Sequence, residues 1–236
     1  MLRFRNLGSG SSGNATIVEG RSGTSVTRLL VDCGLGIRQL DQRLALAGLT
    51  AHDIDAIFIT HEHSDHIGCA RPFALRHRIP VWMSRGTHAG ARDGDFDDLL
   101  RYAGDGMPMA LGDLCVTPFT VPHDAREPLQ LRCTDGASSL GILTDLGHAT
   151  EHVLGHLSGC QALLLECNHD AQMLAASSYP PFLKKRVGGQ HGHLSNAHSA
   201  GIAAALRHPG LRCVVAAHLS RENNRPALAR AALAQA

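Results

Sequence analysis

The chain has 236 residues, enough to bury a large core, and one domain spanning residues 1–236 is expected rather than two. Hydrophobic residues make up 44% and charged residues 18%, the balance of a soluble globular protein, and a net charge of +1 excludes a global basic field, so polyanion binding needs a local patch. The start, MLRFRNLGSG, lacks the apolar core of an export signal, and no run approaches the roughly 20 apolar residues of a spanning helix, so a cytoplasmic protein without membrane contact is expected.

Leu2 to Leu7 and Ala15 to Val18 read as short strands joined by GSGSSGN, Gly8 to Asn14. That stretch reads first as a plain turn, and its glycines and serines also suit a backbone nest for phosphate oxygens. Val26 to Val31 is the next strand, followed by Asp32 and Gly34 in LLVDCG. Leu35, Ile37, Leu40, Leu44 and Ala47 recur at helical spacing, and Gly48 stops that helix. Asp55 to Thr60 is a short, β-branched apolar run, a buried strand, and HEHSDH follows it. His61, His63, Asp65 and His66 thus fall within six residues at a strand end, where open α/β sheets place their sites. Two imidazoles two residues apart can turn to one ion, and a carboxylate with a third imidazole to a second, a donor set that suits zinc, iron or manganese.

Helix is expected from Ile67 to His77 and a buried strand from Pro80 to Met83, while His52, His77 and His88 stand alone as surface or capping residues. Residues 90 to 112 are acidic and glycine-rich. Asp93, Asp95, Asp97 and Asp98 lack the spacing and terminal Glu of an EF-hand, so a solvated loop with a short helix is expected. The cysteines, Cys33, Cys69, Cys115, Cys133, Cys160, Cys167 and Cys213, are odd in number and contain no CxxC, as reduced core thiols would be.

In the second half, Leu114 to Val121 is a strand leading to His123. Leu129 to Cys133 and Ser138 to Thr144 flank the turn signal Asp135-Gly136, and the second of them leads to Asp145. Leu163 to Asp170 is a strand and polar turn, LLLECNHD, and HGHLSN precedes an alanine-rich helix from Ala197 to Leu206. Leu211 to Ala217 is a buried strand whose next residue is His218. A His, an Asp and a His therefore stand at three more strand ends.

HxHxDH after an apolar strand resembles the signature of the metallo-β-lactamase superfamily. The resemblance implies an α/β fold, a four-layer αββα sandwich of two mixed β-sheets flanked by helices. It implies that His61, His63 and His123 hold one divalent metal ion, that Asp65, His66 and His218 hold another, and that Asp145 bridges them, with His148 or His169 as substitutes for His123. Asp32 would support the metal loop from behind. LECNHD and GHLSN resemble, with departures, the motifs of the nuclease branch that includes tRNA 3′-processing endonucleases, where a Glu and His pair assists the leaving group. Here those would be Glu166 and His193, acting with Asp65 in catalysis. GSGSSGN, LLVDCG, THEHSDH, NHD, GHLSN and HLSRENN together are most similar to the WalJ/YycJ-type group of bacterial exonucleases.

The resemblance implies a dinuclear, zinc-dependent (or manganese- or iron-dependent) phosphodiesterase acting on DNA, 5′ to 3′. Ser9, Ser11, Ser12, Asn14, Asn168, His169, Ser195 and Asn196 are candidate substrate contacts, as are Lys184 and Lys185 in PFLKKRV with Arg221 and Arg225, although a LysLysArg run is equally a solvated helix face. The alternatives are a small-molecule hydrolase, either a cyclic phosphodiesterase or a thioesterase of the glyoxalase II kind, and a nucleic-acid-binding protein without catalysis.

Overall fold

A computed structural model describes residues 1–91 and 94–236. Its strands form two six-stranded mixed sheets, ordered β1-β2-β3-β4-β5-β6 and β12-β11-β10-β9-β8-β7, with helices in the connections. This is the α/β class expected. The backbone divides into two compact units. The first is Met1–Phe119 with Ala125–Leu129 and Cys133–Ser138, and the second is Thr120–Asp124, Gln130–Arg132 and Ser139–Ala236.

In the first unit, β1 (Leu2–Gly8), β2 (Ala15–Ser22) and β3 (Ser25–Val31) form an antiparallel meander. The sheet then turns parallel through β4 (Ala56–Phe58), β5 (Val81–Met83) and β6 (Leu100–Tyr102). Parallel strands need crossovers. These contain α1 (Ile37–Leu46), the pair α2 (Ser64–Ile67) and α3 (Ala70–His77), and α4 (Arg85–Gly90). Leu40, Leu44, Ile57, Phe73, Val81 and Phe96 share one buried cluster. The hairpin β7 (Met109–Leu111) and β8 (Leu114–Thr120) turns at Gly112, whose φ of +51° favours glycine.

In the second unit, β10 (Ser139–Leu143), β11 (Ala162–Glu166) and β12 (Cys213–Ala217) are parallel neighbours, with Leu143 beside Leu165 and Glu166 beside Ala217. Strand β9 is Leu129–Thr134, of which Gln130–Arg132 belong to this unit. Five helices belong to this unit: α5 (Glu151–Leu157), α6 (Ala171–Ala176), α7 (Pro181–Val187), α8 (Asn196–Ala205) and α9 (Pro226–Leu233). Leu140, Ile142, Leu163, Leu165, Val153 and Ile202 are buried here.

Several expected boundaries move. The single helix expected from Ile67 to His77 is two, broken at Gly68, where a Cβ would meet the backbone of Cys33 and Gly34. The strand expected over Asp55 to Thr60 narrows to Ala56–Phe58, because the chain must leave the sheet to form the HEHSDH loop. The stretch expected to be a loop with a short helix also supplies β6 and β7, three residues each, too short for periodicity to reveal. Residues 92 and 93, and with them the expectation for Asp93, lie outside the described residues. The Asp135-Gly136 turn is present, with Asp135 Oδ1 accepting from Ala137 N (3.0 Å) and Ser138 N (2.7 Å) and Gly136 at φ +88°.

Candidate metal centre and active site

Parallel strand ends position the first set of side chains. Val31 of β3 pairs with Phe58 of β4, and Asp32 N donates to Phe58 O at 2.8 Å, so Asp32 and Thr60 leave adjacent strands side by side. The buried Asp32 carboxylate accepts from Thr60 N (2.9 Å), from the Thr60 hydroxyl (2.9 Å) and from His66 Nδ1 (2.8 Å). With its proton committed to Asp32, the Thr60 oxygen accepts from His61 Nδ1 at 3.0 Å. One carboxylate and one hydroxyl thus place the protons of His61 and His66 on Nδ1 and leave both Nε2 atoms unprotonated, the form in which an imidazole can take an ion. His61 Nε2 lies 3.1 Å from His63 Nδ1, a spacing of ring nitrogens that a shared cation or a single proton stabilises. Asp65 Oδ2 lies 3.7 Å from His66 Nε2.

Asn14 closes this half from the Gly/Ser turn. Its Oδ1 accepts from Gly10 N (2.8 Å), and its Nδ2 reaches Asp65 O (3.1 Å) and His66 Nε2 (3.0 Å). Asn14 is buried and holds the loop, while Ser9, Ser11 and Ser12 are exposed around it.

The second unit repeats the principle on three adjacent parallel strands. Asp145 follows β10, Glu166 ends β11 and His218 follows β12, and their ligand atoms, with His193, all lie within 4.8 Å of one another. His218 Nε2 is 3.4 Å from Asp145 Oδ1, and His218 Nδ1 is 3.1 Å from Glu166 Oε1. Asp32, Asp145 and His218 all adopt left-handed backbone, φ +62°, +56° and +53°. Such positions carry strain in non-glycine residues and cluster where function requires a fixed side-chain direction.

Glu166 is fully buried and fully engaged. Oε2 accepts from Leu146 N (3.2 Å) and Leu194 N (3.1 Å), and Oε1 from His193 Nδ1 (2.8 Å). Burial pushes this carboxyl up, but the charge and hydrogen bond of His193 and the hydrogen bond of His218 outweigh it and bring the group down to about 2. For His193, burial lowers the pKa, and the Glu166 charge and hydrogen bond, aided by Asp145, raise it above its ordinary 6.5. Its side chain is 22% exposed while those of Glu166, Asp145 and His218 are 2% or less, so His193 is the member of the group that a substrate can reach. His123 stands beside it, ring centroids 5.4 Å apart, with Nδ1 against Gly192 O at 3.1 Å. Burial lowers the His123 pKa and keeps the ring neutral, as a metal ligand must be. Among the described residues neither His148 nor His169 joins a cluster of potential ligands. His148 contacts Gln190 O (2.9 Å), and His169 is buried, its pKa brought down to about 4 by burial.

Of the other expected contacts, Asn168, His169, Ser195 and Asn196 lie together, with Asn168 N donating to Leu194 O (3.0 Å) and Asn196 N to His169 O (2.8 Å). Asn168 Nδ2 donates to His218 O (3.0 Å) and so orients the residue after β12. Ser195 caps α8, and Asn196 pairs with Asn224 through two amide hydrogen bonds of 2.9 Å. Lys184 Nζ donates to Ala175 O (2.6 Å), Lys185 and Arg221 are exposed, and Arg225 reaches Arg221 O (3.2 Å). Sequence reasoning gave no role to Thr60, Ser199 or Asn224, which hold the Asp32–His61 relay, the Glu166 carbonyl and the Cys167 carbonyl. Thr60 alone had a signal, being the first residue of THEHSDH.

Residues 27–219 match the family model described as the β-lactamase superfamily domain. The chain belongs to that superfamily. It is 33% identical to exodeoxyribonuclease YycJ of Bacillus anthracis over 99% of this chain and 88% of the relative. It is 34% identical to exodeoxyribonuclease WalJ of Streptococcus pneumoniae over 94% of this chain and 83% of the relative. The solved metallo-β-lactamase fold protein YhfI from Bacillus subtilis matches with a TM-score of 0.76 at 18% identity, covering 100% of this chain and 93% of that one, a likeness of fold. Family membership, these relatives and the His/Asp clusters make this superfamily member a metal-dependent hydrolase whose donors suit divalent ions.

Proposed function

We propose that the chain is a dinuclear, zinc-dependent phosphodiesterase that degrades DNA from the 5′ end in the cytoplasm. The observation that carries this reading is the His193–Glu166 pair: a reachable imidazole, its proton affinity raised by the Glu166 charge and hydrogen bond, placed against a fully buried carboxylate within a cluster of potential ligands. A thioester leaves as a thiolate of modest basicity, whereas a nucleotide leaves as a strongly basic alkoxide that needs a proton. His193 can supply one. The 33–34% identity to proteins named exodeoxyribonucleases supports DNA over other phosphodiesters.

The ligand assignment follows the family: His61, His63 and His123 for one ion, Asp65, His66 and His218 for the other, and Asp145 shared. The fixed Nδ1 protons of His61 and His66 and the neutrality of His123 support it. Divalent ions, when bound, would supply positive charge to the phosphate and ease the ionisation of an attacking water. Glu166 keeps His193 protonated and aimed, Asp32 and Thr60 hold two imidazoles in register, and Asn168 steadies the backbone of His218.

The test is metal analysis with a substrate panel of bis(p-nitrophenyl) phosphate, 5′-phosphorylated DNA, RNA and a glutathione thioester. Zinc near two equivalents, turnover of DNA, and loss of activity in Asp65→Ala are expected. Turnover of the thioester alone, or full activity of metal-free Asp65→Ala protein, would overturn the reading.

A further inference from the structure

Four of the six phenylalanines, Phe58, Phe73, Phe96 and Phe119, are completely buried, but Phe182 is 73% exposed. It opens α7, a helix without an acidic residue, and Lys185 and Arg186, three and four positions on, share its face. Both cations are exposed, and Arg186 Nε donates to Asp124 Oδ2 at 2.7 Å, which holds the guanidinium in place. The setting is unusual for this chain. From Ala171 to Arg221 there is no Asp or Glu, while Lys184, Lys185, Arg186, Arg207, Arg212 and Arg221 all fall there, against a net charge of only +1 for the whole molecule.

The helix is also tied to the proposed acid. Val187 O accepts from His193 N at 2.8 Å, Gly189 O accepts from Gly192 N at 3.0 Å, and a Cβ on Gly192 would collide with the carbonyls of Arg186 and Val187. From Phe182 to Val187 the helix rises about 7.5 Å at 1.5 Å per residue. Phe182 therefore lies on the element whose C-terminal end holds His193. The aromatic face and the charge favour one occupant.

We infer that Phe182 is a stacking platform for a nucleobase of single-stranded DNA, on the strand whose phosphate His193 serves, with Lys185 and Arg186 on the flanking phosphates. An aromatic face beside cations is the combination that holds single strands without reading sequence. Bases of a duplex are stacked on one another and offer no face to such a ring, so the platform selects an unpaired end. The inference rests on the phosphodiesterase reading for its purpose, though not for its test.

The full chain, loaded with zinc, is compared with Phe182→Ala, Phe182→Leu and Phe182→Trp, substitutions at a site exposed enough not to disturb folding. Affinity is read by fluorescence anisotropy on a nuclease-resistant phosphorothioate oligodeoxythymidine, and kcat/KM on 5′-phosphorylated oligodeoxythymidine and on bis(p-nitrophenyl) phosphate. The expected result is about a tenfold or greater loss of oligonucleotide affinity and kcat/KM in Phe182→Ala and Phe182→Leu. Phe182→Trp should stay within about twofold of the parent, and turnover of the small diester, too short to reach Phe182, should not change. Affinity retained by Phe182→Ala, or Phe182→Leu behaving like Phe182→Trp, would overturn the platform. If the parent chain binds the oligonucleotide but cleaves nothing, the phosphodiesterase reading fails alone and the affinity series still decides the platform. If the parent does not bind it, the platform falls.

Discussion

His193 Nδ1 lies 2.8 Å from Glu166 Oε1, and each group moves the other's proton affinity, His193 up and Glu166 down to about 2. The arrangement keeps a proton on the imidazole at pH values where a free histidine would have lost half of its own. Replacing Glu166 with Gln removes the negative charge while keeping the shape. The alkaline limb of kcat against pH should then move toward lower pH, and kcat at pH 8 should fall by more than kcat at pH 6. His193→Ala should lower kcat by about 10²- to 10⁴-fold, the usual contribution of a positioned acid. A pH profile unchanged by Glu166→Gln would mean that His193 is not the proton donor.

The same pair predicts how folding stability depends on pH in the metal-free protein. His193, raised above 6.5, contributes stability that is fully present below pH 6.5 and is lost as pH rises through its folded value. Glu166, lowered from 4.5 to about 2, contributes stability that is present above pH 4.5 and is lost as pH falls toward 2. The window in which both contribute in full runs from about pH 4.5 to 6.5. Urea unfolding of the parent and of Glu166→Gln across pH 4 to 9 should show the difference between them largest in that window.

Asp32 binds no ion in the family assignment, yet it governs two imidazoles. Asp32→Ala strands the buried Thr60 amide and hydroxyl, at a cost of about 1–3 kcal/mol for each buried group left unsatisfied. It also frees the His66 ring to take the wrong tautomer. Metal affinity should fall by about 10- to 100-fold, measured by competition with a chromophoric chelator. Thr60→Val keeps the volume and leaves the Asp32–His66 contact, so it should loosen His61 while sparing much of the stability.

Strand ends were legible because chemistry and topology coincide there: apolar runs stop at Thr60, Asp145 and His218, and parallel pairing sets Asp32 beside Thr60 in the first unit and the ends of β10, β11 and β12 side by side in the second. The helix break at Gly68 was not, since it comes from the close approach of the Cys33–Gly34 backbone, a contact distant in sequence. Strands β6 and β7 are three residues each and carry no period. The polar supports Ser199 and Asn224 look like ordinary helix and loop residues until the fold shows which carbonyls they hold. The left-handed backbone of Asp32, Asp145 and His218 leaves no mark in residue type, because glycine, which would suit it, could not supply the side chain.

The cysteines make a separate check on the fold. Cys213, on β12, is exposed, Cys115 is intermediate, and the other five are buried, with the Cys33 thiol pushed up by its hydrogen bond to Cys69 and by burial. Native protein should therefore show one fast thiol toward Ellman's reagent, and Cys213→Ser should abolish the fast phase. Several fast thiols would contradict the burial of Cys133 on β9, of Cys160 and Cys167 on either side of β11, and of the Cys33–Cys69 pair, whose sulfurs are 3.6 Å apart.

Gly34 tests whether the metal loop is held by the backbone beneath it. Gly34 N donates to Asn14 O (2.9 Å), Cys33 N to His66 O (2.8 Å) and Asn14 N to Asp65 O (2.8 Å), so residues 32–34 and 14 form a strap under the loop. A Cβ on Gly34 would overlap the Asp65 carbonyl, a backbone atom that cannot swing aside as a flexible side chain would. Gly34→Ala must therefore push the loop away, breaking the contacts of Asn14 with Asp65 and His66, and should cost at least the roughly 1–3 kcal/mol of an overpacked core. Metal affinity should fall with it, although no ligand has been changed. Gly201, exposed in the middle of α8 with nothing near its missing Cβ, is the contrast. There the same substitution should add about 0.5–1 kcal/mol, since alanine is the better helix former, and leave metal binding alone. Equal effects at the two glycines, read by urea unfolding and chelator competition, would show that the loop does not depend on the strap.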